Sequence, residues 1–194
     1  MAGHGMAAVG ERVFVACYGE DAIASVDGRS PSSQPTLHAL PGASTTPGAP
    51  ALGPYSVVAS ASGDRLAVGQ TEGKVTTLFD VAAATFTLSM KTQGAPYFAA
   101  WSADSSRLFV PTQAPDAIVV FDPATGSVVT SRTFAKGECQ RPHEAVTTEG
   151  ALAVVCEGDH VAPGRVLVLD PVTLSTTAEA DVGVYPDRLL VVSP

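Results

Sequence analysis

Hydrophobic positions along the chain come in short bursts rather than helical stripes. Apolar runs of four to six residues, rich in Val, are separated by Gly, Pro, Asp and Ser. No stretch keeps an i, i+3, i+4, i+7 stripe over three turns. Short apolar runs bounded by turn residues predict strands, so the chain reads as all-β. Laid against itself, it also shows a repeat. One copy reads PYSVVASASGDRLAVGQTEGKVTTLFD from Pro54, and the next reads PYFAAWSADSSRLFVPTQAPDAIVVFD from Pro96. A third reads PHEAVTTEGALAVVCEGDHVAPGRVLVLD from Pro142. A more degenerate first copy, GHGMAAVGERVFVACYGEDAIASVD, starts at Gly3, and a fifth begins PDRLLVVSP from Pro186.

The Pro-led copies start 42, 46 and 44 residues apart, near the ~40–45 residues of a four-stranded propeller blade. Each copy parses in one order. An inner strand follows the Pro (55–60, 97–102, 143–147), then a tight Gly/Asp/Ser turn. The most apolar strand comes second (66–69, 108–110, 152–156). A polar loop leads to a third strand ending at Asp27, Asp80, Asp122 or Asp170. A more variable outer strand closes the unit (36–40, 86–90, 128–134, 175–182). The predicted blades are 3–40, 54–94, 96–137 and 142–183, with 186–194 the inner strand of a further blade. The Pro/Gly/Ser/Thr-rich stretch 41–53 reads as a flexible inter-blade loop. A carboxylate at a strand end can accept backbone N–H bonds two residues on, so the four repeated Asp read as turn formers.

Several segments carry a family resemblance. Gly3-His4-Gly5-Met6 is followed by Val13-Phe14-Val15-Ala16, and Gly94-Ala95-Pro96 by Leu108-Phe109-Val110-Pro111. Pro142-His143-Glu144-Ala145 is followed by Val154-Val155-Cys156, and Gly183-Val184-Tyr185-Pro186 opens the last copy. These resemble the YVTN-family β-propeller repeat over nearly the whole chain. The resemblance implies a WD-like propeller related in fold to lactonases and quinoprotein subunits, and such a fold does not fix function. Two departures stand out. The first blade has a shortened turn, Val9-Gly10-Glu11, and five inner strands are matched by four sets of the other three. Family members close with about six to eight blades. The expected architecture is therefore a segment of such a ring. The alternative is a closed ring of four, with 186–194 finding a place over the first blade. Uncovered blade faces in an open segment would drive self-association.

Composition narrows the partners. The 194 residues are 45 % hydrophobic and 15 % charged, which suits one globular domain or a piece of one. Apolar runs such as 75–79 and 118–121 fall far short of the roughly 20 residues of a membrane span. The net charge is −8 with no basic run, which disfavours nucleic acid and anionic membranes as partners. The opening residues lack the charged n-region and apolar h-region of a signal peptide. No GxSxG, GxxxxGK[ST] or GxGxxG motif occurs.

Candidate chemistry gathers at one end of the repeat. The residue after each inner-strand lead is His4, Tyr55, Tyr97, His143 or Asp187. In a propeller these positions approach one mouth of the central channel, where converging polar and aromatic groups form a small-molecule site. His143, Glu157, Asp159 and His160 are candidate metal ligands. His143 and Glu144 are candidate acid–base groups. Cys139 precedes an inner strand and Cys156 ends the strand returning beside it, so the two are placed to bridge a loop of about 17 residues. Such a bond implies an oxidising compartment. Cys17 holds in the first blade the place of Cys156 in the fourth, and reads as a packed thiol. Cys139-Gln140-Arg141-Pro142-His143 lacks the second Cys of a haem-attachment motif, and no cofactor is expected. Trp101 reads as blade packing. The expected function is a non-enzymatic binding or scaffold module of a periplasmic, secreted or cell-surface protein. It would engage a protein or small-molecule ligand at the rim. One alternative is a lactonase-like hydrolase using His143 and Glu144. The other is the propeller portion of an electron-transfer or quinoprotein-type subunit.

Overall fold

A computed structural model describes residues 3–30, 32–46, 48–49 and 51–191. Its order is all-β apart from one short 3-10 turn at Tyr18–Glu20. Strands β1 (Gly3–Val9), β2 (Arg12–Cys17), β3 (Ala22–Asp27) and β4 (Thr36–Ala39) form the first antiparallel sheet, in chain order. The second comprises β5 (Pro54–Ala59), β6 (Arg65–Gln70), β7 (Val75–Asp80) and β8 (Thr85–Lys91). In the third, the inner strand is split into β9 (Ala95–Pro96) and β10 (Ala100–Trp101). Both pieces pair with β11 (Leu108–Gln113), which is followed by β12 (Ala117–Phe121) and β13 (Val128–Thr133). The fourth comprises β14 (Pro142–Thr148), β15 (Ala151–Cys156), β16 (Pro163–Leu169) and β17 (Thr176–Val184).

The sheets are set as blades with their inner strands side by side. β1 packs along β5, β6 along β9, and β10 and β11 along β14. Each interface between consecutive blades holds its own apolar cluster. Phe14 and Ile23 meet Leu66, Val68 and Phe79 between the first and second blades. Ala67, Leu78 and Met90 meet Trp101, Leu108 and Val110 between the second and third. Phe109, Ile118 and Val120 meet Leu152, Val154 and Leu167 between the third and fourth. Period-two alternation explains the sorting: Leu66 and Val68 face one neighbour while Ala67 faces the other. Full burial of each large side chain is worth about 1.5–3 kcal/mol, and the alternation spreads that gain over both faces of a blade.

Polar ties reinforce the stacking. Ser56 Oγ donates to the Tyr97 carbonyl at 2.8 Å, and Trp101 Nε1 to the Val58 carbonyl at 3.2 Å. Thr147 Oγ1 donates to the Trp101 carbonyl at 2.7 Å. The Phe98 and Ala145 N–H groups donate to the His143 and Phe98 carbonyls, each at 2.9 Å. That exchange explains the split third inner strand, because Phe98 turns from its own sheet to bridge Glu144 in parallel. Asp21 Oδ1 accepts from the N–H groups of Leu52 and Gly53 at 2.8 and 3.1 Å, pinning the end of the 41–53 segment to the first blade. The described residues of that segment form no strand.

The repeated Asp residues form turns. Asp27, Asp80, Asp122 and Asp170 each accept a backbone N–H two or three residues on, at 2.7–3.0 Å. Cys139 and Cys156 are disulfide-bonded, with Cα atoms 5.1 Å apart, and Cys17 is a buried free thiol. Trp101 is buried beneath the Arg65 guanidinium, 5.1 Å from its ring. The expected inner strand at 186–194 does not form over its described residues, which end at 191. Among the described residues it pairs with no strand. The segment lies against β14 instead, held by side-chain contacts. Among the described residues no helix is long and apolar enough to cross a membrane.

Candidate functional site

The inner strands are irregular where each blade begins. In β1 the ladder to β2 shifts between Gly3 and Met6, in β5 between Pro54 and Ser56, and in β14 between Pro142 and Glu144. The extra residues are His4 with Gly5, Tyr55, and His143. In the third blade Tyr97 lies in the gap between β9 and β10. A bulge leaves a residue out of the ladder and re-aims its side chain. In three blades the shift leaves the corresponding residue out of the ladder, and in the third blade Tyr97 stands at the break in the inner strand.

Their side chains meet. His4 stacks on Tyr55 with centroids 4.6 Å apart, Tyr55 is 5.1 Å from Tyr97, and Tyr97 is 4.9 Å from His143. Tyr55 also reaches His143 edge-on at 5.8 Å. Asp187 completes the set, its carbonyl oxygen 2.8 Å and Oδ1 3.3 Å from His143 Nδ1. The structure thus brings His4, Tyr55, Tyr97, His143 and Asp187 together. Burial pushes the Tyr97 phenol up to about 12, helped by the Glu157 carboxylate. Burial, with Asp187 and Glu157 adding, also raises Tyr55. Both phenols are therefore neutral donors at ordinary pH.

In the first, second and fourth blades the loop after the second strand adds a second tier beside these residues. Tyr18 lies 5.5 Å from His4 and donates to Glu72 Oε1 at 2.9 Å. Glu157 Oε1 lies 3.5 Å from His143 Nε2, and Glu157 Oε2 lies 2.9 Å from His160 Nε2. His160 also contacts the Tyr185 ring at 3.9 Å and Arg141 at 3.2 Å. The sequence reasoning missed Tyr18 and Glu72. Their signal was positional, since they follow the second strand as Glu157 does.

Two expected groupings are divided by the structure. Of His143, Glu157, Asp159 and His160, Asp159 stands apart, accepting from the N–H groups of Val161 and Ala162 at 2.9 and 2.8 Å. It shapes the turn. Glu144 does not share the partners of His143: its carboxylate takes Arg188 Nε at 2.9 Å and the Leu189 N–H. Burial raises the Glu144 carboxyl, and the Leu189 N–H and Arg188 oppose that rise. Glu144 and Arg188 line a separate cavity of about 390 Å³ farther along the inner strands, walled by Val57, Ala99, Trp101 and Val146.

This arrangement of blades has counterparts among solved structures. One is the Kuenenia stuttgartiensis hydrazine synthase, with a TM-score of 0.75 and 16 % identity over 90 % of this chain and 47 % of that one. Another is apo AztD from Citrobacter koseri, with a TM-score of 0.63 and 16 % identity over 96 % of this chain and 48 % of that one. A third is U3-55K, with a TM-score of 0.65 and 14 % identity over 86 % and 47 %. The fold is a β-propeller. The chain spans about half the length of these structures. No family model matches the sequence, and no curated protein does. Identities this low speak for the propeller alone.

Proposed function

We propose that this propeller is a non-enzymatic binding module whose ligand site is the channel mouth. One observation carries the reading: every blade breaks its inner ladder at the corresponding residue, and the side chains so released converge with Asp187. Bulges that re-aim side chains cluster at functional sites, and converging aromatic and polar groups at a channel opening suit a small ligand. The hydrolase reading loses support because His143 and Glu144 engage different partners. The Cys139–Cys156 bond supports an extracytoplasmic setting.

The test is a small-fragment library screened by ligand-observed NMR against wild type and a Tyr55→Ala/Tyr97→Ala variant. Fragments that bind wild type and are lost in the variant support the site. Binding that persists unchanged in the variant, or no binding at all, overturns it.

A further inference from the structure

Resting on that reading of the channel mouth, we propose that His143, Glu157 and Asp187 bind a divalent transition-metal cation of the zinc type. The three come from an inner strand, the loop after a second strand, and the segment following the last strand. One ring nitrogen of His143 and one carboxylate oxygen from each acid lie within 4.8 Å of one another.

The partners around His143 suit a cation. The partners of the ring at Nδ1 are the Asp187 main-chain carbonyl at 2.8 Å and Asp187 Oδ1 at 3.3 Å, so the Asp187 carboxylate must swing from Nδ1 to reach an ion on Nε2. A carbonyl oxygen only accepts, so Nδ1 carries the hydrogen. In the neutral ring Nε2 is then a bare lone pair. What faces it is the Glu157 carboxylate at 3.5 Å, which is also an acceptor. Both side chains are deeply buried, at 1 % and 7 % exposure. A cation seated between them would be held by both. The separation also suits a metal: with bonds of roughly 2.0–2.2 Å, donor atoms around a tetrahedral ion stand about 3.3–3.6 Å apart.

The surroundings are those of a ligand set. The Nδ1–H···O=C bond fixes ring orientation and tautomer, as outer hydrogen bonds do for metal-binding imidazoles. His160 Nε2 engages Glu157 Oε2 at 2.9 Å and orients that carboxylate while leaving Oε1 toward His143. Two carboxylates contribute a charge matching a dication. One imidazole with two carboxylate oxygens suits a borderline ion such as zinc better than a thiol-seeking one. Asp187 is 55 % exposed, so its side chain can close on the ion and leave one position open to the channel. That open position would sit beside Tyr97, 4.9 Å from the His143 ring.

The experiment titrates chelator-stripped full-length chain with Zn²⁺ in competition with a chromogenic chelator, and with Co²⁺ for its visible d–d bands. One ion per chain is expected. Glu157→Gln and Asp187→Asn should each weaken binding by at least about tenfold and alter the cobalt spectrum. Glu149→Gln, at an exposed turn, should leave both unchanged. Asp187→Asn alters an exposed side chain, so its loss of binding is not a folding defect. His143→Gln is to be read only where its circular dichroism matches wild type. No stoichiometric zinc, or zinc binding indifferent to Glu157→Gln and Asp187→Asn, overturns the metal site. If zinc fails while fragments still bind and are lost in the Tyr55/Tyr97 variant, only the metal inference falls. If fragments fail too, the channel-mouth reading falls with it.

Discussion

His143 Nδ1 donates to the carbonyl oxygen of Asp187, 2.8 Å away and 44 residues on in the chain. That interval is one repeat. Asp187 stands in its copy where His143 stands in its own, and the bond joins consecutive repeats. Asp187 arrives there without a strand to carry it, on a segment anchored through Glu144 by Arg188 and Leu189.

The disulfide should be the main covalent support of the fourth blade. Closing a loop of 17 residues stabilises by about 3 kcal/mol through the unfolded chain. Thiol titration of the unfolded chain without reductant should find one reactive thiol, Cys17. Urea melts with reductant, or of Cys139→Ser/Cys156→Ser, should show a matching loss. Three free thiols would remove the bond from the account.

Gly5→Ala should destabilise the first interface. A Cβ there would lie 2.7 Å from the Ser56 Cα and 2.9 Å from the Tyr55 carbonyl oxygen, both backbone atoms with little room to yield. Overpacking of that kind costs about 1–3 kcal/mol. Urea unfolding monitored by circular dichroism measures it.

Asp21→Ala should cost about 2 kcal/mol, because its carboxylate accepts two N–H groups from the segment entering the second blade. Hydrogen exchange should rise first at Leu52 and Gly53. Unchanged protection there would mean that packing alone holds the segment.

Alkaline titration should show Tyr97 ionising late. Tyr97 is held up to about 12, so the folded chain keeps a proton that the unfolded chain releases near 10. Between those values the unfolded state binds fewer protons, so stability falls as pH rises from 10 to 12. At the acid end the sign is opposite. Asp104 is held down to about 2 by the Ser102 hydroxyl and the Ser106 N–H and hydroxyl. Its contribution is present above the ordinary carboxylate range and is lost as pH falls toward 2. Absorbance at 295 nm follows the phenols, and Tyr97→Phe should remove the latest step.

Much of this was legible in the sequence. The continuous apolar runs Leu66-Ala67-Val68 and Leu108-Phe109-Val110 prescribe strands buried on both faces, and successive residues divide between neighbouring interfaces accordingly. The repeat placed His4, Tyr55, Tyr97, His143 and Asp187 at equivalent positions, and equivalent positions in a propeller share a rim. What periodicity does not encode is the bulge. Ladder register depends on both strands, so the local turning of Tyr55 and His143 out of their sheets had no signature in one strand alone. The loop tier was hidden for a related reason. Tyr18, Glu72 and Glu157 sit in connections of unequal composition, where only their place after the second strand is common. His143 and Glu144 take different partners because adjacency in sequence is not adjacency of side chains. Glu144 is taken up by Arg188 and Leu189.

The central claim is that ligands enter at the channel mouth, and the histidines report on it directly. The chain has four. His4 and His143 are in the mouth and His160 is beside it, while His38 lies at the edge of the first blade against Ser25 and Phe79. Long-range nitrogen–proton correlation spectra of histidine-labelled protein resolve each imidazole. On adding fragments that bind wild type, the account predicts that His4 and His143 shift together while His38 stays fixed. Shifts confined to His38, or binding that moves neither His4 nor His143, would contradict it.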